Sequence, residues 1–345
     1  MPLRVLVPLQ SQVFFAQNKA LDAQPLFYRL RQEPFLKRGM RKLGLREDAA
    51  TLDTKFEVVQ GEEFLPETYA IWLSAAVRLS SLQMALLLDR MPQLRWVYSQ
   101  ITGTDHLDLS LFAKRGVAVS NSGRLSSRRM AEMALALIFA HAKSLPEHFA
   151  LQRNRRWRAL PCEELSRQTV GIVGTGSIGT ELAKLCRGVG LRVIGASRNP
   201  AKFAAGAEPF HEIVRLDSEL DRLLAESDHV VLALPLNKQT HELFDAKRLS
   251  RMKPNSSLIN LARGALVNED ALCDALAKGT LGAAYVDLPA KFPPPLWSRL
   301  YRTPNLMLTH NSAAKSERLA EEAFHQFLDG LNAMLVSGNP PDRVI

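Results

Sequence analysis

Cysteine is scarce in this 345-residue chain: Cys162, Cys186 and Cys273 lie far apart and without C-x-x-C spacing. An odd, scattered set argues against a disulfide framework or a zinc site, so the thiols read as small buried residues. Long apolar runs are missing too. The strongest, residues 130–142, is too short to span a bilayer and carries Glu132, and no charged leader followed by an apolar core stands at the start. A soluble, cytoplasmic protein with no membrane partner is the expectation. Internal repeats, low-complexity tracts and Gly/Ser linkers are absent as well. Acidic residues fall short of basic ones, 35 against 44, for a formal net charge of +9. That excess raises nucleic acid as a partner, with local clusters at Arg124, Arg128 and Arg129 and at Arg153, Arg155, Arg156 and Arg158. The charges are nevertheless spread over the whole chain, and no helix-turn-helix or aromatic RNA-binding signature accompanies them. No nucleic-acid partner is expected, and the excess suits small anionic ligands.

What the chain does contain is a glycine turn between a strand pattern and a helix pattern. In TVGIVGTGSIGTELAKLCRGVGLRVIGASRN, residues 169–199, an apolar β-branched run leads into Gly174, Gly176 and Gly179 at the G-x-G-x-x-G positions. Helical spacing follows over 178–189, then a second strand pattern over 192–196. The first glycine allows the tight turn, the second lets backbone approach a pyrophosphate, and the third lets the helix pack on its strand. The helix N-terminus at Ser177 and Ile178 adds free N–H groups for phosphates, so the stretch reads as a dinucleotide site.

The end of the second strand bears on which dinucleotide. A carboxylate there accepts hydrogen bonds from the ribose of NAD and repels a 2′-phosphate. The chain has Ser197, Arg198 and Asn199 instead. Hydroxyl and amide can donate to phosphate, and a guanidinium can add a charge-assisted bond and cover the adenine face. NADP(H) is the expected cofactor, with NAD(H) possible.

Two α/β units emerge, one inserted into the other. Strand patterns at 3–9, 69–74 and 94–99, with a helix at 81–89, describe the first; residues 26–53 are basic and irregular and have no placement. From 116 the pattern strengthens: a strand at 117–120, an apolar helix at 130–143, the glycine unit, then strands at 229–234, 257–262, 281–288 and 306–309. Helices at 218–226 and 268–278 separate them. Such alternation means a parallel sheet wound on both faces. A final amphipathic helix at 315–337 can return to the first unit, leaving a cleft between the two lobes. Residues 1–115 with 311–345 are expected to form a substrate domain, and 116–310 a cofactor domain.

Several stretches resemble the D-2-hydroxyacid dehydrogenases. They are VVLALPLNKQTHELFDAKRLSRMKPNSSLINLARGALVNEDAL at 230–272, TGTDHLDL at 102–109, VAVSNSG at 117–123 and AEMALAL at 131–137. The likeness runs from about residue 95 to the C-terminus, and WLSAAVRLS at 72–80 falls where that family has a carboxylate-binding loop. It implies an α/β fold of two Rossmann-like domains, one flavodoxin-like and one NAD(P)-binding, with parallel sheets and an interdomain cleft. The implied reaction is hydride transfer between nicotinamide and C2 of a small anionic 2-oxo or 2-hydroxy acid. Backbone N–H groups of Val77 and Gly103 would hold the carboxylate, while Leu234, Pro235, Thr240, Ala262 and Asp287 would line the cofactor. Arg263, in NLARGAL after an apolar strand, matches the family's substrate-binding arginine; a guanidinium can bridge carboxylate and carbonyl.

The proton donor departs from that pattern. The family has a histidine in a T-P-H stretch, and a glutamate five residues beyond an aspartate holds it. Asp287 matches the aspartate, but Phe292 stands at the glutamate in a shortened loop, DLPAKFPPPLW. An ungapped alignment through Pro304 and Asn305 places Asn311 at the histidine, a register that the spacing to Phe327 supports. One residue fewer makes His310-Asn311-Ser312-Ala313 match the H-x-S-A form of some members, so both residues stay candidates, His310 slightly ahead. An imidazole without its carboxylate loses its proton near neutrality, and activity should fall early on the alkaline side. With Asn311 in place, water, Lys315 or Tyr301 would have to move the proton.

The leading expectation is an NADP(H)-dependent reductase of a small 2-oxo acid. Alternatives are a dehydrogenase whose substrate needs no proton relay and a non-catalytic or regulatory NAD(P)-binding homologue. A homodimer is expected, because the apolar 130–143 helix needs a buried face and RNRRW at 153–157 falls where the family has its dimer arm.

Overall fold

A computed structural model describes residues 3–6, 50–52, 56–59, 68–73, 80–100, 103–104, 107–203, 206, 208–316 and 318–345. The chain divides into two compact units, Met1–Leu125 with Ser316–Ile345, and Ser126–Lys315.

The first unit carries β1 (Leu3–Leu6), β2 (Ala50–Leu52), β3 (Phe56–Val59), β4 (Thr68–Leu73), α1 (Ser81–Asp89), β5 (Trp96–Ser99), α2 (Leu109–Lys114) and β6 (Ala118–Asn121). Its sheet order is β2-β3-β1-β4-β5-β6, parallel except for the edge pair β2–β3. Without that edge strand this is the flavodoxin-like order. The unplaced 26–53 stretch lies outside the described residues apart from β2. β6, expected to open the cofactor domain, instead lies beside β5 with Trp96 opposite Ala118, and its far side takes Val344 N–H on the Val119 carbonyl. The division therefore falls later at both crossings than the 115/116 and 310/311 boundaries suggested by the sequence. The C-terminal helix of this unit stacks Phe327 on Trp96 at 5.1 Å between ring centroids, and Tyr98 Oη donates to Gln326 at 2.8 Å. A Cβ on Gly330 would stand 2.8 Å from the Trp96 ring, so the absence of a side chain there is what lets the helix seat on the indole.

The second unit continues with α3 (Ser127–Ala142), α4 (Leu145–Arg153), β7 (Thr169–Val173), α5 (Ser177–Gly188), β8 (Arg192–Ser197), β9 (Glu212–Arg215), α6 (Leu216–Glu226) and β10 (His229–Leu232). After these come α7 (Ala246–Leu249), β11 (Ser257–Asn260), α8 (Glu269–Ala277), β12 (Ala283–Val286) and β13 (Leu306–Leu308); α9 (Leu319–Ser337) is the returning helix of the first unit. All seven strands of this sheet are parallel, in the order β13-β12-β11-β10-β7-β8-β9. Both faces are buried, as a parallel sheet demands. Alternate strand residues divide between two cores: Val230, Leu232 and Leu258 pack with α6 and α8, Val231 and Ile259 with α3 and α5. The apolar α3 thus finds its buried face within its own unit, through Ala131, Ala134, Leu137 and Ile138. In contrast, α4 buries none of its residues, and Phe149 and Trp157 are exposed. Cys186 and Cys273 are buried as expected, and burial pushes the Cys186 thiol up to about 12; Cys162, on the exposed stretch after α4, is not buried. Among the described residues, no helix is long and apolar enough to cross a membrane.

Candidate dinucleotide and proton-transfer site

Because the strands of the second sheet run the same way, their carboxyl ends share one edge, and the expected residues of this unit follow those ends. Gly174 comes after β7, Arg198 and Asn199 after β8, which ends in Ser197, Leu234 and Pro235 after β10, Ala262 and Arg263 after β11, Asp287 after β12, and His310 and Asn311 after β13. The strand order reverses between β7 and β10, and ligands of open parallel sheets bind at such a switch.

The three glycines of the turn separate by cause. Gly174 has φ +111°, and a Cβ there would meet the Ala233 carbonyl at 2.3 Å; one on Gly179 would meet the Gly174 carbonyl at 2.0 Å. Both are demanded by the packing of α5 on β7 and of β7 beside β10. Gly176 is different: it is exposed, has an ordinary φ of −75°, and a Cβ would meet nothing within 4 Å. The protein's own packing has no need of it. Open space beside an α5 N-terminus that no side chain caps is what a pyrophosphate requires, so the residues present fit a dinucleotide. At the end of β8 the half-buried Ser197 takes the Asn199 N–H at 3.2 Å, and Arg198 is exposed without a carboxylate partner among the described residues.

Two loops are braced from within. Thr240, expected at the cofactor, is buried; its hydroxyl donates to the Pro235 carbonyl and accepts from Asn237 N–H, each at 2.8 Å, so it shapes the 235–240 loop. The side chain of Asn260 accepts from Ala262 N–H at 3.1 Å and donates to the Arg263 carbonyl at 2.9 Å. It closes the turn from which Arg263 projects, half-buried, with Nη1 donating to the Ala262 carbonyl at 3.1 Å. Gly264 lets this turn touch the next loop, since a Cβ would lie 2.0 Å from Ala290 N. Sequence reasoning passed over Asn260; an amide on an apolar strand three residues before the arginine was its only signal.

Asp287, expected at the cofactor, follows β12 at the same sheet edge. Its buried carboxylate takes the Thr309 hydroxyl and the N–H groups of Ser312 at 2.8 Å and Ala313 at 3.2 Å, while its carbonyl takes Asn311 N–H at 2.7 Å. The turn so held contains His310 and Asn311, both exposed and both left-handed at φ +55°. For a histidine that conformation costs about 1–2 kcal/mol. Phe292 is exposed, and no carboxylate pairs with His310 among the described residues. Gly103 is half-buried in the first unit, and Val77 lies outside the described residues. A cavity of about 490 Å³ opens among Glu269, Lys291, Trp297 and Arg299 and is lined by none of the expected residues.

Residues 135–312 match the D-isomer specific 2-hydroxyacid dehydrogenase, NAD binding domain. A putative 2-hydroxyacid dehydrogenase of Haemophilus influenzae is 33% identical over 243 residues, 67% of this chain and 74% of that protein. A glyoxylate reductase of Thermococcus litoralis is 32% identical over 267 residues, 75% of this chain and 79% of its own. This chain belongs to the D-isomer specific 2-hydroxyacid dehydrogenase family. As a D-2-hydroxyacid dehydrogenase it is an NAD(P)-dependent oxidoreductase acting on CH–OH groups. An NADPH-dependent glyoxylate/hydroxypyruvate reductase of Sinorhizobium meliloti, 24% identical, matches its fold with a TM-score of 0.74 over 100% of this chain and 98% of the other.

Proposed function

We propose that this D-2-hydroxyacid dehydrogenase is an NADP(H)-dependent reductase of a small 2-oxo acid. The observation that carries the reading is the β8 end, where Ser197, Arg198 and Asn199 stand and no carboxylate does. Three uncommitted donors suit a 2′-phosphate, and Arg198 has no competing ion pair among the described residues. Glyoxylate reductases among the relatives support the substrate class.

Bound at the glycine turn, a dinucleotide would supply the hydride. The amides of Ser177, Ile178 and Gly179 would hold its pyrophosphate beside Gly176, and Leu234, Pro235 and Ala262 would flank it. Thr240 serves by shaping the 235–240 loop. Arg263 binds the substrate carboxylate and polarises the carbonyl. His310 delivers the proton to the carbonyl oxygen, and Asn311 beside it can donate a hydrogen bond to the same oxygen.

A second copy of the chain is the expected partner. The exposed Phe149 and Trp157, with Arg153, Arg155, Arg156 and Arg158 alongside, form a surface that its own unit does not cover. A monomer in analytical sedimentation overturns this.

NADPH and NADH consumption at pH 6 and pH 8, against glyoxylate, hydroxypyruvate, pyruvate, phenylpyruvate and oxaloacetate, tests the reductase. Turnover should prefer NADPH, fall at pH 8, and drop by about 10³-fold in Arg263→Ala. Arg198→Glu should reverse the preference toward NADH. One observation favours a second reading: with Phe292 exposed and no carboxylate on His310, a non-catalytic dinucleotide-binding role has structural support. Tight NADPH binding without turnover on any acid selects it.

A further inference from the structure

We propose that Asp287 is a positioning residue for proton transfer: it clamps the 309–313 turn and so presents His310 and Asn311, in place of the carboxylate that Phe292 removes from the histidine. The proposal rests on the reductase reading. It begins from an unusual carboxylate. Asp287 is 4% exposed, and among the described residues no cation pairs with it. Its partners are all neutral and all come from one short turn more than 20 residues along the chain: the Thr309 hydroxyl, Ser312 N–H and Ala313 N–H on Oδ1, with a longer Ala313 contact of 3.4 Å on Oδ2. The Asp287 carbonyl adds a bond from Asn311 N–H at 2.7 Å, so the side chain of one residue holds both ends of the turn and its backbone holds the middle.

Burying a carboxylate without a counter-charge disfavours stability, and an apolar or neutral residue in a packed strand end does better. What the carboxylate does supply is geometry. The gripped turn places two consecutive non-glycine residues at φ +55°, a conformation that persists only where its surroundings over-determine it. Asp287 is that surrounding. In the family pattern an imidazole is oriented by a carboxylate on its own ring; here His310 has none among the described residues, and orientation comes through the backbone that carries it. Thr309 is the second half of the clamp, since its hydroxyl donates to the same Oδ1 as the Ser312 and Ala313 N–H groups and ties the first residue of the turn to them.

The test compares wild type with Asp287→Asn, Thr309→Val and Thr309→Ser by amide hydrogen exchange and by steady-state kinetics with NADPH and glyoxylate. Expected in Asp287→Asn is faster exchange confined to the 309–313 segment, by about tenfold or more, because a neutral amide oxygen is a weaker acceptor than a carboxylate for the Ser312 and Ala313 N–H groups. A displacement of about 1 Å then lowers kcat by about 10²-fold, while KM for NADPH and direct NADPH binding stay within twofold. Thr309→Val should show the same split in weaker form, and Thr309→Ser, which keeps the hydroxyl, should restore wild-type values. Thr309→Val also keeps the question open to measurement if Asp287→Asn fails to fold. Weakened NADPH binding with kcat unchanged makes Asp287 a cofactor contact and overturns the proposal, as does unchanged exchange at 309–313. Should wild type reduce no 2-oxo acid, the reductase reading falls, and unaltered exchange in Asp287→Asn would still be needed to remove the clamp.

Discussion

The glycine turn after β7 and the histidine turn after β13 face the same edge of one sheet and are built in opposite ways. The first is local: Gly174, Gly176 and Gly179 lie within six residues, and backbone alone makes the cradle. The second is assembled at long range, with the Asp287 carboxylate reaching across to Thr309, Ser312 and Ala313. A phosphate site needs only N–H groups and room, so a short motif carries it intact. A proton-transfer site needs particular side chains in particular places, and where the family resemblance calls for a carboxylate this chain has Phe292. The lesson is that a turn made of backbone amides can be carried by a few consecutive residues, whereas a turn held by side chains depends on partners far away in the chain.

The sharpest way to break the comparison is at the second turn. His310→Phe should lower kcat for 2-oxo-acid reduction by about 10²- to 10⁴-fold, with Asn311→Ala affecting rate far less. If the two variants exchange these effects, Asn311 holds the donor position.

The first turn can be split from within. Gly176→Val should weaken NADPH binding by about 10²-fold in titration calorimetry and leave the melting temperature unchanged, because nothing of the protein lies within 4 Å of the added Cβ. Gly179→Ala should lower the melting temperature. Its Cβ would stand 2.0 Å from the Gly174 carbonyl, and overpacking of that kind costs about 1–3 kcal/mol, some 2–10 °C in a unit of this size. Binding lost in Gly179→Ala without a change in melting would remove the distinction between the two glycines.

The smallest effect lies away from both turns, on the opposite ends of the strands. His229 is fully buried at the start of β10, with Nδ1 against Ser257 Oγ at 2.9 Å and Nε2 against Gln168 Oε1 at 3.0 Å. Burial, with His141 edge-on to the ring, lowers its pKa from 6.5 to about 3. Between those values the unfolded chain binds the proton and the folded one does not, so stability falls as pH drops below about 6.5, by up to about 1.4 kcal/mol per pH unit. His229→Gln should flatten urea midpoints between pH 6 and pH 4, and an unchanged slope would move the acid sensitivity to other groups.

Much of this architecture was legible where sequence pattern is local and long. Short continuous apolar runs foretold β7, β8, β10 and β11, and the helical period foretold α5, because both faces of a parallel strand and one stripe of a helix must be apolar. β9 was missed: Glu212–Arg215 is a four-residue edge strand with one buried position, too short for any period. β6 was seen but assigned to the wrong side of the boundary, since a strand's sequence says nothing of which neighbour it will pair with. The glycine turn after β7 and Arg263 after β11 stood out by motif, whereas Asn260, whose side chain closes the turn that carries Arg263, did not.

By itself the sequence determined the α/β alternation, the dinucleotide turn and the family, all properties of consecutive residues obeying backbone geometry and burial periodicity. Only the tertiary structure decided that α3 buries its apolar face in its own unit, that Gly176 is the one glycine of the three free of packing demands, and that Asp287 holds the turn of His310. Each of those depends on which distant groups meet, and a buried polar atom takes its partner from the folded neighbourhood rather than from the residues beside it in the chain.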